Sequence, residues 1–362
     1  MNFITKKTMA KINNISFNKA LTLIQQGEVV AIPTETVYGL AGSAFNNQVL
    51  KKIFQIKKRP FFNPLIIHCA NIQQMNQFFF LSTNINTDIK KNSKSEKPQN
   101  NTNEFLLKKI ISYFMPGPLT LILPKTNLVD PLITAGQEKV GLRIPKHPLT
   151  LKLIQTTNAL CAPSANLFGE LSPTRAEHIH SIFQGMVPVL DGGECNVGIE
   201  STVLEPDFKN KIFKILRPGM ISKKDLETWL KKENKKDWEV IITSSSLSPG
   251  QLKKHYQPKV PLVIIENQSN NNILKKENIS NKLSSIFVEK IFKELKLKSS
   301  AELSARILYH ELNTLSNNPA HLIYIIKYKK MTTEPWQAIW DRLEKACSYH
   351  IKWMSLNPQK SK

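Results

Sequence analysis

The chain has 362 residues, enough for two domains each with its own core. Its 41% hydrophobic and 22% charged content is that of a soluble globular protein. The formal charge of +22 favours encounters with nucleic acid or nucleotides, although lysine runs beside asparagine and isoleucine, as in 90–103, also arise from a compositional bias.

Apolar residues at helical spacing predict a helix over Phe17 to Gln26, stopping at Gly27, and a strand at 29–33. That strand runs into P-T-E-T-V-Y-G-L, where Thr34, Glu35, Thr36 and Tyr38 offer hydrogen-bonding groups to a small polar ligand. An ordinary strand-turn-helix junction explains the stretch equally well. A helix from Gln48 to about Lys57, capped by Asn46 or Asn47, carries Val49, Leu50, Ile53 and Phe54 on one face. It delivers K-K-R-P-F-F-N-P onto a loop, because Pro60 and Pro64 forbid its continuation. Lys57, Lys58 and Arg59 form a cationic hook suited to phosphate oxygens, with a solvated basic helix end as the alternative. A strand at 65–69 follows.

Residues 82–103 are polar and low in complexity, and predict a disordered surface insertion. Beyond it come a helix at 104–114, a strand L-T-L-I-L after P-G-P, a strand at 140–144, a helix at 149–156 and a short strand at 160–162. A helix at 176–183 and strands at 187–190, 201–204 and 212–216 complete a mixed, twisted sheet with helices over 1–232. Arg143 sits within an otherwise apolar strand. Leaving it unpaired is expensive, so its partner is either a structural carboxylate or a substrate carboxylate. P-S-A-N at 163–166 with S-P-T at 172–174, D-G-G at 191–193 with G-I-E-S-T after it, and R-P-G at 217–219 are further loops at strand ends.

Standard motifs are missing. Gly136 and Gly141 have P-loop spacing, but Leu142 and Arg143 follow where Lys and Ser or Thr are required, and there is no G-x-G-x-x-G or G-x-S-x-G. His178 and His180 point to different faces of a helix. Cys69, Cys161, Cys195 and Cys347 are far apart with no C-x-x-C pair, which argues for reduced, packed thiols. Covalent catalysis and a protein-bound metal are disfavoured. No apolar run reaches membrane-spanning length and no signal-peptide core opens the chain, so a cytoplasmic protein without membrane contact is expected.

Residues 233–260 turn to Lys, Ser and Pro and read as a linker. In 261–362, strands at Pro261 to Ile265 and His321 to Ile326, helices at Ala301 to Leu315 and Pro335 to His350, and a polar loop near Asn267 to Asn281 predict a smaller α/β domain.

The order of the loops is specific. P-T-E-T-V-Y-G-L, K-K-R-P-F-F-N-P-L-I-I-H, P-G-P-L-T-L-I-L, V-G-L-R-I-P, A-P-S-A-N, D-G-G, E-S-T-V and L-R-P-G together resemble the YrdC-type threonylcarbamoyl-AMP synthases over residues 17 to about 222. The linker S-P-G-Q-L-K-K-H-Y-Q-P and the α/β tail resemble the longer, two-domain version. The resemblance implies a twisted α/β fold with a large concave cavity and a smaller Rossmann-like C-terminal domain. It also implies a nucleotidyl transfer that joins L-threonine, bicarbonate or carbon dioxide, and ATP into threonylcarbamoyl-AMP and pyrophosphate. That product serves modification of position 37 of certain tRNAs through a downstream threonylcarbamoyl transferase complex. By motif position, Lys57, Arg59, Phe61, Thr120, Ser164, Asn166, Ser172, Arg217 and Tyr256 resemble the ATP-binding set, with Lys57 and Arg59 in the catalytic role. Thr34, His68, Arg143, Ala162 and Ser201 resemble the threonine-binding set. Mg2+ is expected to accompany ATP, without a carboxylate cluster of the protein's own. The linker, which lies over the cavity as a lid in this family, departs at Gln251, Leu252 and Lys253, where Met, Lys and Tyr are usual; His255 and Tyr256 remain. The competing readings are a non-catalytic double-stranded RNA or tRNA binder, motivated by the charge, and a carbamoyl-adenylate-forming relative that uses carbamoyl phosphate. Relatives of the latter kind carry acylphosphatase-like and zinc-finger segments that this chain lacks.

Overall fold

The computed structural model describes residues 13–81, 102–243, 254–267, 274–288, 291–318, 320–328, 331 and 334–353. Eleven strands form the first sheet: β1 (Asn14–Ile15), β2 (Val30–Ile32), β3 (Gly39–Ser43), β4 (Ile66–His68), β5 (Leu119–Pro124), β6 (Lys139–Arg143), β7 (Leu160–Cys161), β8 (Val189–Leu190), β9 (Thr202–Asp207), β10 (Ile212–Arg217) and β11 (Glu239–Ile242). Their spatial order is β1-β8-β2-β3-β7-β4-β6-β5-β9-β10-β11, with parallel and antiparallel neighbours mixed. Helices α1 (Phe17–Gln25), α2 (Asn47–Lys57), α3 (Ile72–Met75), α4 (Thr102–Phe114), α5 (Pro131–Thr134), α6 (Pro148–Thr157), α7 (Ala176–Phe183) and α8 (Lys223–Lys232) accompany it.

Local chemistry sets these boundaries. Ser16 caps α1 by accepting from the Lys19 amide, Asn46 caps α2 by accepting from Gln48 and Val49, and Ser222 with Asp225 forms a capping box at α8. α2 ends at Lys58, whose left-handed backbone (φ 50°) turns the chain sharply toward Arg59. Val49, Leu50, Ile53 and Phe54 are all buried, and α2 lies so close on β3 that a β-carbon at Gly42 would come within 2.3 Å of Val49.

The second sheet is parallel throughout, in the order β13-β14-β12-β15, from β12 (Leu262–Asn267), β13 (Phe292–Glu294), β14 (Leu322–Lys327) and β15 (Tyr349–Trp353). Helices α9 (Lys276–Ile286), α10 (Ala301–Asn317) and α11 (Glu334–Ala346) belong to it. Parallel strands with intervening helices make this the expected smaller α/β domain.

Several expectations change. P-T-E-T-V-Y-G-L does not lead into a helix: it joins β2 to the antiparallel β3, which its glycines and alanine hid from a propensity reading. The linker assigned to 233–260 begins too early, since Glu239–Ile242 is a strand paired with β10. The polar loop near 267–281 is helical from Lys276, where Ile279 and Leu283 give a buried face. The helix expected to reach His350 stops at Ala346, and residues from Tyr349 form β15. Most of the insertion assigned to 82–103 lies outside the described residues, as do Gln251, Leu252 and Lys253 of the linker; residues 102 and 103 already belong to α4. The four cysteines are free, and all but Cys347 are buried. Among the described residues no helix is long and apolar enough to cross a membrane.

Candidate active site

The ends of β2, β4, β6, β7 and β10 open onto one cavity. Parallel pairing of β4 with β6 sets His68 beside Arg143. The stretch after β2 is pinned to the P-S-A-N loop, because Leu40 donates to the Pro163 carbonyl and Ala165 donates to the Tyr38 carbonyl. The cavity encloses about 60 Å³ and is lined by Thr34, Thr36, Val37, Gly39, Arg59, Pro64, Leu65, Ile66, His68, Arg143, Ala162, Pro163, Ser164, Glu200, Ser201, Arg217, His255 and Tyr256.

Its electrostatics are those of an anion site. Lys57, Arg59, Arg143 and Arg217 are all buried, against the two buried carboxylates Glu35 and Glu200 on the same loops. Burial, then the charge of Arg59, pushes the Lys57 ammonium well below its ordinary pKa. Burial and Arg217 bring Arg59 down to about 9. Cations crowded out of water in this way are stabilised by a bound anion.

Arg143 has a structural carboxylate partner after all. Its Nη2 lies 2.8 Å from Glu35 Oε1. The two form a buried ion pair, and neither atom has another hydrogen-bond partner among the described residues. Arg143 Nε donates to the Gly117 carbonyl at 3.3 Å. Glu35 also accepts from the Lys146 amide, and although burial works to raise its pKa, Arg143 and that amide hold it below the ordinary value. Arg143 therefore carries a charge partner on the cavity wall. Beside it, burial and Arg143 lower His68 to about 3, so the ring is neutral. Its Nδ1 lies 3.2 Å from the Ile66 carbonyl, which assigns the proton to Nδ1 and leaves Nε2 an acceptor.

Thr34, Arg59, His68, Arg143, Ala162, Ser164, Ser201, Arg217 and Tyr256 thus meet in one place. The other residues singled out in the sequence stand behind the wall or outside it. Lys57 is no exposed hook: its ammonium turns inward and donates to the Ser164 and Asn166 carbonyls, bracing their loop. Asn166 donates to the Leu167 and Glu170 carbonyls. Thr120 shares a 2.7 Å hydrogen bond with Ser201, and Ser172 donates to Glu200 at 2.5 Å. Phe61 is 55% exposed, with its ring 5.0 Å from Phe54, and does not line the cavity. The Thr34 hydroxyl is committed to its own turn, donating to the Val37 carbonyl and accepting from the Thr36 and Val37 amides.

Three groups were missed. Glu200 accepts from Ser172, from the Tyr309 hydroxyl at 3.0 Å and from Arg342 Nε at 3.1 Å. Burial raises its pKa, but Arg342, Arg217 and Ser172 overcome this and bring it to about 2. Tyr309 and Arg342 come from α10 and α11 of the second domain. Only Glu200 left a trace, as the lone acid of G-I-E-S-T; an arginine in an amphipathic helix reads as surface charge.

His178 pairs with His310 rather than with His180 (3.3 Å), and with Glu177 these place three ligand atoms within 4.8 Å of one another. The Thr174 amide donates to His178 Nδ1, so Nε2 holds the ring proton and has no lone pair for a metal.

Comparisons with known proteins identify the family. The Sua5/YciO/YrdC profile, described as telomere recombination, matches residues 22–219. This chain belongs to that family. The profile of the threonylcarbamoyl-AMP synthase C-terminal domain matches residues 221–348, which makes it a two-domain member. The threonylcarbamoyl-AMP synthase of Bacillus subtilis is 38% identical over 257 residues, covering 70% of this chain and 68% of that protein. The one from Pyrococcus abyssi is 35% identical over 257 residues, covering 68% and 67%. The crystal structure of P. abyssi Sua5 complexed with L-threonine superposes with a TM-score of 0.76 at 28% identity, over 95% of this chain and all of that one.

Proposed function

We propose that this family member is an L-threonylcarbamoyladenylate synthase, a nucleotidyltransferase that converts L-threonine, bicarbonate or carbon dioxide, and ATP into threonylcarbamoyl-AMP and pyrophosphate. The observation that carries the reading is the cavity itself: a buried excess of cations, with Arg143 on its wall paired to Glu35 at 2.8 Å. Arg143 takes the threonine carboxylate, as a charge-assisted pair. The neutral His68 and the Ser201 hydroxyl lie on the same wall and receive the polar remainder of the amino acid. Arg59, Arg217 and Ser164 line the nucleotide side, braced from behind by Lys57, Asn166 and Ser172.

The chemistry needs no protein nucleophile. The threonine amine adds to carbon dioxide, a proton leaves, and the resulting carbamate oxygen attacks the α-phosphorus of ATP as pyrophosphate departs. Fixed positive charge aimed at the phosphates stabilises that transfer, and the enclosed wall keeps water from the mixed anhydride. The two carboxylates at the cavity, Glu35 and Glu200, do not suit a resident magnesium ion, since both are engaged by arginine. Magnesium therefore enters as part of the MgATP substrate.

A drug-sized ligand needs roughly 300 Å³ or more, several times the enclosed volume, so His255 and Tyr256 must shift to admit ATP. Duplex RNA cannot enter such a space, which removes the motive for reading these buried cations as an RNA-binding surface. The product is passed on to a tRNA-modifying transferase. Pyrophosphate release from ATP tests the reading: it is expected only when both threonine and bicarbonate are present, and release indifferent to threonine would reject it.

A further inference from the structure

The C-terminal domain does more than sit beside the cavity. Its helix α10 presses on the loop that forms one wall: a β-carbon at Gly198 (φ +81°) would come within 2.4 Å of Arg306 Cα and 2.5 Å of the Ala305 carbonyl oxygen. Two residues later the chain places Glu200 under Tyr309 and Arg342. Glu200 Oε1 accepts from Ser172, Oε2 accepts from Tyr309 and Arg342, and its backbone carbonyl accepts from Arg342 Nη2 at 3.3 Å. Arg342 is 1% exposed and also donates to the Pro218 carbonyl, next to Arg217. Its guanidinium lies 5.6 Å from the centre of the Tyr256 ring, which in turn stacks on Tyr309 at 5.8 Å. One buried arginine thus touches three parts of the first domain's wall: the 194–201 loop, the turn after β10, and the linker tyrosine.

The charges give this contact a direction. Glu200 is an anion within a wall that would hold a triphosphate, and Arg342 is its nearest full countercharge. Without Arg342, the buried Glu200 carboxylate faces the phosphates with only the weaker compensation of Arg217, and the acceptor that holds the Ser172 hydroxyl loses its anchor.

We infer that Arg342 is a positioning residue of the second domain, which neutralises and orients Glu200 so that the Ser172 and Arg217 wall accepts ATP. Tyr309 assists through its hydroxyl. The inference rests on the proposed nucleotide site, and on nothing at the threonine end.

The test is binding of ATP and, separately, of L-threonine to the full chain by calorimetry. Arg342→Met is expected to weaken ATP binding about tenfold, the size of a typical coupling between linked sites, with threonine binding unchanged. Adding Glu200→Gln removes the stranded charge and should return much of the lost affinity. Tyr309→Phe deletes only a hydroxyl and keeps the fold; it should weaken ATP binding in the same sense by less, so the idea stays testable should Arg342→Met fail to fold. Equal losses for both ligands, no rescue by Glu200→Gln, or an unchanged ATP affinity in Tyr309→Phe would overturn it and leave Arg342 as a docking contact. Wild-type protein that binds no ATP would instead reject the proposed function.

Discussion

Arg143→Met separates the two ends of the cavity. The substitution keeps most of the volume and removes the guanidinium, with its 2.8 Å contact to Glu35. A hydrogen bond to a charged group contributes about 1.5–3 kcal/mol net. At about 1.4 kcal/mol per tenfold, threonine affinity should fall roughly ten- to a hundredfold, while ATP affinity changes much less. Stability suffers as well, because removing one member of a buried pair costs about 3–5 kcal/mol, a large part of the usual total of about 5–15 kcal/mol. The companion Glu35→Gln/Arg143→Met removes both charges; it should fold better and still bind threonine poorly. Calorimetric titration with each ligand, beside thermal unfolding of each variant, reads all of this. Parallel losses for threonine and ATP, or recovery of threonine binding in the double variant, would refute the assignment of Arg143 to the substrate carboxylate.

Other expectations follow from the same geometry. Lys57→Met removes the brace on the Ser164 and Asn166 carbonyls, so the KM for ATP should rise while threonine binding holds; an unmoved ATP dependence would contradict that role. Tyr256 has a buried hydroxyl with no hydrogen-bond partner among the described residues, and leaving such a group unsatisfied costs about 1–3 kcal/mol. Tyr256→Phe should therefore melt a few degrees higher in the absence of ligand, and a lower melting temperature would show that the hydroxyl is satisfied. Burial keeps His68 and His255 neutral, with pKa values of about 3 against an ordinary 6.5. In that window the unfolded chain binds more protons than the folded one, so stability should decline as pH falls from about 6.5 toward 3. Urea unfolding at pH values inside and above the window checks this, and His68→Gln should shallow the decline.

The loops were legible because each places polar residues directly after an apolar run, and their order in the chain carried the site. Arg143 stood out as a charge in an apolar strand, though nothing local distinguished a structural from a substrate carboxylate; the structure supplies Glu35. Lys57 was read as part of a cationic hook, since periodicity shows that a helix ends in cations but not that a distant loop offers two carbonyls to one of them. β3 and α9 escaped notice because glycine in the one, and asparagine and serine in the other, carry weak propensities that packing overrides. Glu200, Tyr309 and Arg342 depend on contacts more than a hundred residues apart, which no local pattern reveals.

The central claim is that one cavity joins threonine, bicarbonate and ATP. Incubating the full chain with ATP, L-threonine and carbon-labelled bicarbonate and analysing the products by mass spectrometry tests it most directly. The account predicts a threonine-dependent adenylate that carries the label, with pyrophosphate released in equal amount. Label-free adenylate, or nucleotide turnover without threonine, would contradict it.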